Sequence, residues 1–265
     1  MRMLFLGDIF GQPGLDAVTA WVPRLRRDLA LDAVVANCEN VAGGRGITPQ
    51  TAEALLQAGV DVLTGGNHSW RHRDIVPYIR MQPRLIRPCN HPAGTAGHGS
   101  YRLELPHGLS LGVFQVEGQV FMSEKGCPFA AVEAELTRLG PVTARFLDVH
   151  AEASSEKQAL AWHFDGRLSA VIGSHTHVPT ADARLLPGGT AYLTDAGMTG
   201  PYDSIIGVDV KNQLRRFHRK PSPFQVATDN VQLCGAVVDI DEATGQARHI
   251  ERLQRAYPPA AAKPV

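Results

Sequence analysis

One hexapeptide, Ile172-Gly173-Ser174-His175-Thr176-His177, constrains this chain most. The apolar run Leu168-Ser169-Ala170-Val171 leads into it and reads as a strand that delivers two histidines to a small-residue exit. Residues two apart on an extended backbone project to one side, so His175 and His177 are expected to converge on one point. On a helix they would diverge by roughly 200°. Paired imidazoles repel when protonated but suit a borderline cation such as Zn, Fe or Mn. A surface histidine pair without function is the competing reading, and other strand ends decide between the two.

Composition narrows the class of molecule. Of 265 residues, 44% are apolar and 20% charged, as in an ordinary globular protein. Net charge is zero and the isoelectric point about 7.2, which leaves no electrostatic footprint for nucleic acid or an anionic membrane. No apolar run is long enough to span a bilayer, and the opening Met1-Arg2-Met3-Leu4-Phe5-Leu6 is too short for a signal peptide. Cys38, Cys89, Cys127 and Cys234 are scattered, without CxxC spacing, and read as free thiols in a reducing compartment. A cytoplasmic protein is expected.

Residues 2–7 read as a buried first strand ending at Asp8, and a helix follows to about residue 30 with a kink at Pro23. A second strand over 33–38 ends in Glu39 and Asn40. Thr48 and Pro49 open the next helix as cap and first residue, and Gly59 closes it. A third strand over 60–64 ends in Gly65-Gly66-Asn67-His68. This βαβαβ opening implies a parallel sheet, and such sheets form sites at the carboxyl edge of their strands. Further on, the pattern predicts a helix over 70–82, a short strand at 85–88 and a hairpin of 100–105 with 109–116. A long loop over 117–128, a helix over 130–139, a strand over 142–149 ending at His150, and a helix over 154–164 follow. After the histidine pair come a strand over 190–194 ending at Asp195, a glycine-rich loop, a helix over 208–217 and a terminal hairpin of 231–240 with 246–254. No repeat or linker divides the chain, so one domain over 1–256 is expected, with 257–265 a disordered tail.

The strand ends thus offer Asp8, Glu39, Asn40, Asn67, His150, His175 and His177. These are too many for one tetrahedral zinc and suit two metals sharing a carboxylate. Two metals roughly 3.5–4 Å apart hold a bridging hydroxide and clamp the entering and leaving oxygens of an in-line displacement. Glu39 is the natural bridge, because a carboxylate brings two oxygens and a charge that offsets cation repulsion. The Asn oxygens complete coordination without adding charge, and His68 can serve as general acid toward the leaving oxygen. Singly, Asp8 could cap a helix, Asn67 a turn, and His150 could be an ordinary histidine. His72, His91, His98, His107, His163, His218 and His249 receive no role. Arg45, in Gly43-Gly44-Arg45-Gly46, either holds a substrate phosphate or is a solvated loop residue. Phe121, Met122 and Phe129 offer a surface for a base or simply pack the long loop. Residues 195–200 either wall the pocket or form a subunit contact.

These blocks resemble those of the calcineurin-like metallophosphoesterase superfamily: Asp-x-His, Gly-Asp, Gly-Asn-His, a lone His and Gly-His-x-His. The chain is more similar still to the YmdB-like branch, through Glu39-Asn40-Val41-Ala42-Gly43-Gly44 and Thr194-Asp195-Ala196-Gly197-Met198-Thr199-Gly200. The likeness extends to about residue 255, and independent capping does not predict blocks in that order. It implies a four-layer α/β/β/α sandwich with a dinuclear centre and phosphodiesterase activity on cyclic nucleotides of the 2′,3′ or 3′,5′ type. It also implies Asp8, Glu39, Asn40 and His177 around one metal and Glu39, Asn67, His150 and His175 around the other, with His68 as the acid. Iron is the first choice of metal, ahead of manganese and zinc. Phe10 stands where the wider superfamily has a histidine and Glu39 where it has Asp, and the YmdB-like branch shares both. Ser69 replaces an acidic residue after His68, so the usual partner of that ring is missing. The alternatives are a phosphomonoesterase with the same site, a fold kept as a scaffold with a silent site, and an amidohydrolase. An amidohydrolase usually opens a TIM barrel with its His-x-His, whereas here the pair comes late. The expected partner is a small-molecule phosphodiester, with a homo-oligomer left open.

Overall fold

The computed structural model describes residues 1–123 and 125–259. In chain order its elements are β1 (Arg2–Leu6), α1 (Gly11–Asp28), β2 (Ala33–Asn37), α2 (Pro49–Gln57), β3 (Val62–Thr64), α3 (Ile75–Met81) and β4 (Leu85–Ile86). The middle of the chain adds β5 (Ser100–Glu104), β6 (Ser110–Glu117), α4 (Pro128–Leu139), β7 (Ala144–His150), α5 (Ser154–His163) and β8 (Ala170–Ser174). The last part holds β9 (Arg184–Leu185), β10 (Ala191–Leu193), β11 (Gly200–Pro201), α6 (Val210–Phe217), β12 (Val231–Ile240) and β13 (Ala247–Ala256).

Two sheets result. In the first, β1 to β4 run parallel in sequence order, and β12 lies antiparallel to β1 with β11 and β13 also paired to it. The second has the order β5–β6–β7–β8–β10–β9, parallel in its centre and antiparallel at both edges. Alternation along the strands decides the layering. Met3, Phe5, Val35 and Val62 meet Val113, Phe146, Ile172 and Leu193 between the sheets, where the Phe5 and Phe146 ring centroids lie 4.9 Å apart. Their neighbours Leu4, Leu6, Val34 and Ala36 face the other way and pack on Val18, Val22 and Leu55 of α1 and α2. Leu147, Val149 and Val171 do the same against Val132 of α4 and Leu160 of α5. The layers are therefore helix, sheet, sheet, helix, as the resemblance implied.

Several boundaries differ from expectation. α1 runs on through Pro23, an exposed position, and ends at Asp28, two residues short of the expected boundary. The helix expected from residue 70 starts only at Ile75, since residues 67–74 are turns. The two-residue strands β9 and β11 are too short for any periodic signal. Tyr257 donates its backbone N–H to Val231 O at 2.8 Å, so the expected tail is tied down at its start, while 260–265 lie outside the described residues. Among the described residues no helix is long and apolar enough to cross a membrane.

Candidate metal centre

The inward-facing strand positions turn polar at the carboxyl edge. Val35 is followed at two-residue spacing by Asn37 and Glu39, Val113 by Gln115 and Glu117, and Phe146 by Asp148 and His150; all six polar residues are at most 1% exposed. The inner members form a floor centred on Asp148. Its Oδ2 accepts hydrogen bonds from Thr64 Oγ1 (2.6 Å), Gln115 Nε2 (2.8 Å) and Asn37 Nδ2 (3.1 Å), and its Oδ1 one from Ser174 Oγ (2.6 Å). Burial, opposed by His150 and these donors, pushes the Asp148 carboxyl up to about 6.

His150 stands on this floor. Its Nδ1–H donates to Ser174 Oγ at 2.9 Å, because that hydroxyl spends its own proton on Asp148. Nε2 is thereby aimed at the opposite side, where Asn67 Oδ1 (3.0 Å), His175 Nδ1 (3.1 Å) and Glu39 Oε2 (3.3 Å) surround it. Gly66 makes this approach feasible: a Cβ there would collide with Glu39 Oε2 and His150 Nε2.

A second group adjoins the first. Asn40 donates from Nδ2 to Glu39 Oε1 at 2.9 Å and brings the same atom within 3.2 Å of His177 Nε2. His177 Nδ1–H donates to Ile206 O at 2.9 Å, which leaves Nε2 facing Asp8 Oδ1 at 3.8 Å. Asp8 Oδ2 accepts the backbone N–H of His175 at 2.9 Å. The expected convergence of His175 and His177 on one point is therefore corrected. β8 ends at Ser174, and the two histidines lie beyond it at φ of 94° and 67°. Leaving the extended region breaks the same-side rule, so His175 joins Glu39, Asn67 and His150, whereas His177 joins Asp8 and Asn40.

His68 lies beside both groups with its side chain 34% exposed. Its Nδ1 is 3.0 Å from Asn40 Oδ1 and 3.2 Å from Glu39 Oε1, and its backbone N–H donates to Glu39 Oε2 at 2.9 Å. Glu39 and Asn40 thus orient the ring, while Ser69 is buried and braces the turn through Gly66 N–H and O. Phe10, two residues beyond Asp8, meets His177 edge-on at 5.4 Å between centroids. In front lies a cavity of 330 Å³ lined by Glu39, Asn40, His68, His175 and His177 on one side and by Phe10, Arg45, Ile206, Val208, Gln213 and Phe224 on the other.

The electrostatics favour a cation. Burial pushes Asp8 upward, and its Oδ1 has no hydrogen-bond partner among the described residues. At Glu39 burial opposes ionisation, but His150 and His68 outweigh it and hold the carboxyl well below its ordinary range. On His150 burial opposes the charge, yet Glu39 and Asp8 win and raise the ring to about 10. His175, buried next to that ring, is pushed down to about 3. Two carboxylates, three imidazoles and two amides form a mixed N and O donor set of the kind that binds Fe, Mn or Zn. Glu39, His150 and His175 present ligand atoms all within 4.8 Å of one another. The orphaned Asp8 oxygen, the glycine clearance and this donor set fit a metal centre.

Sequence reasoning missed the floor of Asn37, Thr64, Gln115, Asp148 and Ser174, although a polar residue two before Glu39 and another two before His150 were a signal for Asn37 and Asp148. It also missed Glu152, whose Oε2 is 3.3 Å from His175 Nε2, and Lys157, which is fully buried in α5. Lys157 Nζ donates to Asp195 Oδ2 (2.7 Å) and Ser174 O (2.8 Å), and Asp195 also accepts from Thr176 N and Oγ1. His91, given no role, is paired with the buried Glu117 at 2.8 Å. Met122 and Phe129 pack beside the outer core and Phe121 is 89% exposed, so none of the three lines the cavity.

Comparison with known proteins places this geometry. The family model for YmdB-like protein matches residues 4–253. A 2′,3′-cyclic-nucleotide 2′-phosphodiesterase of Bacillus subtilis is 44% identical over 257 residues, 96% of each chain. Among solved structures, a hypothetical protein from Thermus thermophilus superposes with a TM-score of 0.91 at 42% identity, covering 97% of this chain and 100% of that one. A novel phosphatase from Mycoplasma pneumoniae gives a TM-score of 0.89 at 31% identity, covering 97% and 93%. A metal-ready strand edge, a family match over nearly the whole chain and relatives that are phosphoric ester hydrolases lead to one conclusion: this chain belongs to the YmdB-like protein family.

Proposed function

We propose that this protein is a dinuclear-metal phosphodiesterase acting on 2′,3′-cyclic nucleotides, with the 3′,5′ type as the poorer substrate. The observation that carries the reading is the division of seven donors into two groups that share Glu39. Glu39, Asn67, His150 and His175 would hold one ion, and Asp8, Glu39, Asn40 and His177 the other. Asn40 turns Nδ2 toward His177, so a ligand role requires its amide to turn end for end, an exchange of nearly equal shapes. When bound, iron, manganese or zinc would supply Lewis-acid neutralisation of phosphoryl charge and water activated near neutral pH.

The chain's own residues do the rest. Ser174, backed by Asp148, engages His150 at Nδ1, and Ile206 O engages His177 at Nδ1, so each ring would offer Nε2 to an ion. His68 lines the cavity with Nδ1 engaged by Glu39, which leaves Nε2 to protonate the departing ribose oxygen. Arg45 stands at the rim, where it can meet the substrate. Four free cysteines agree with a reducing, cytoplasmic setting.

Turnover of bis(4-nitrophenyl) phosphate and 4-nitrophenyl phosphate by the metal-loaded protein tests this, with Asp8→Asn and His68→Ala alongside. Diester hydrolysis that collapses in both variants is expected, followed by preference for 2′,3′- over 3′,5′-cyclic AMP. Hydrolysis of the monoester alone would make the site a phosphatase. Two bound ions without turnover of either ester would leave the scaffold reading.

A further inference from the structure

The cavity has a second wall that no metal or phosphate needs. One aromatic layer separates it from the ligand cluster: Phe10 meets His177 edge-on, and Phe224 lies 6.4 Å beyond Phe10. The Arg45 guanidinium is 4.3 Å above the Phe224 ring centroid, and that of Arg216 is 5.2 Å from the same centroid. Burial, Arg216 and Arg71 all push Arg45 below its ordinary value, and no carboxylate is paired with it among the described residues. Ile206 and Val208 complete an apolar surface. Into this surface α6 projects Gln213, whose Oε1 is buried without a hydrogen-bond partner among the described residues. A flat arginine–aromatic wall beside one unsatisfied amide oxygen is the recognition chemistry of a heteroaromatic ring that carries an amino group.

We propose that Arg45, Phe224 and Gln213 form the nucleobase subsite and select adenine over uracil, a reading that rests on the hydrolysis of cyclic nucleotides proposed above. The base lies against the Arg45–Phe224 wall. Gln213 Oε1 accepts from its N6 amino group while Nε2 donates to N7, the pairing an amide side chain makes with adenine. Held in the same register, uracil presents its O4 carbonyl where adenine presents the amino group and a C–H where adenine presents N7, so it would leave Gln213 Oε1 unsatisfied.

The test compares 2′,3′-cyclic AMP, 2′,3′-cyclic UMP and bis(4-nitrophenyl) phosphate in the metal-loaded wild type, Gln213→Leu and Phe224→Ala. The wild type is expected to favour the adenine substrate over the uracil one by about tenfold in kcat/KM, the discrimination of one good amide–base pair. Gln213→Leu should erase that ratio, chiefly through KM. Phe224→Ala should weaken both nucleotides about five- to tenfold relative to the base-free diester. A wild type blind to the base, or a Gln213→Leu loss equal on all three substrates, would overturn the subsite. Adenosine 3′-phosphate binding by calorimetry separates this from the hydrolase reading: about tenfold weaker binding in Gln213→Leu supports the subsite even without turnover, and equal binding refutes it.

Discussion

Two ionic clusters lie buried on either side of the turn at residues 174–177, and they are completed differently. Lys157 and Asp195 are both essentially inaccessible, with 2.7 Å between charges, and the remaining lone pairs of Asp195 are taken by Thr176 and by Gly197 N–H. Asp8 and Glu39 are equally buried, yet they share no lysine or arginine, and Asp8 Oδ1 has no partner among the described residues. A buried ion pair with its hydrogen bonds satisfied holds a loop in place, whereas buried carboxylates with an orphaned oxygen hold room for something else. The first cluster positions the turn that carries His175 and His177; the second receives what those histidines help bind.

Glu39→Gln breaks the open cluster at its shared member, and a loss of about 10³-fold or more in kcat/KM is expected, with two metals per chain no longer retained on elemental analysis. Comparable turnover in this variant would mean that Glu39 is not shared between two ions. Lys157→Met breaks the closed cluster and leaves Asp195 charged and buried, so urea melts should show about 3 kcal/mol lost from the metal-free protein. Asp8→Asn should move stability the other way. Removing a desolvated, partly unpaired carboxylate is expected to raise metal-free stability by about 1 kcal/mol while abolishing diester turnover. Opposite signs for Lys157→Met and Asp8→Asn are the sharpest form of the contrast, and equal losses would erase it.

The smallest effect comes from a pair outside both clusters. Arg2 contacts both carboxylate oxygens of Asp239 and, by hydrogen bond and charge, holds that carboxyl below its ordinary value. An acid depressed in the fold stabilises above its unfolded pKa, near 3.9, and that contribution fades as pH falls through the folded value. Arg2→Met should therefore flatten the acid limb of the stability profile below about pH 4, by well under 1 kcal/mol because both side chains are partly solvated. A flattening as large as the Lys157→Met loss would show that burial is not what separates the pairs.

How much of this was legible beforehand varies with range. Glu39, Asn40, Asn67 and His150 were readable because each ends a strand or lies within three residues of the end of one whose apolar run announces it, and the fold places those ends on one edge. Asp148 was hidden inside Phe146-Leu147-Asp148-Val149, where a lone acid reads as a break in pattern until the facing sheet supplies Thr64 and Asn37 and the neighbouring strand β6 supplies Gln115. Lys157 sat in an unremarkable helix start, and only the packing of α5 behind β8 buries it. Phe224 and Gln213 carry no motif, and their partners Arg45 and Phe10 are roughly 170–210 residues away in sequence.

From the sequence alone came the strand order of the opening, the chemical types at the strand ends and the resemblance that named them, because backbone periodicity and residue type are local properties. The tertiary structure alone decided that His175 and His177 part company, since positive φ beyond β8 overrides the alternation a strand would impose. It also decided that β12 closes against β1, that Asp148 underlies His150, and that one buried cluster is neutralised while the other is left open. Those outcomes depend on which atoms meet across sheets and turns far apart in the chain, and no local pattern encodes that meeting.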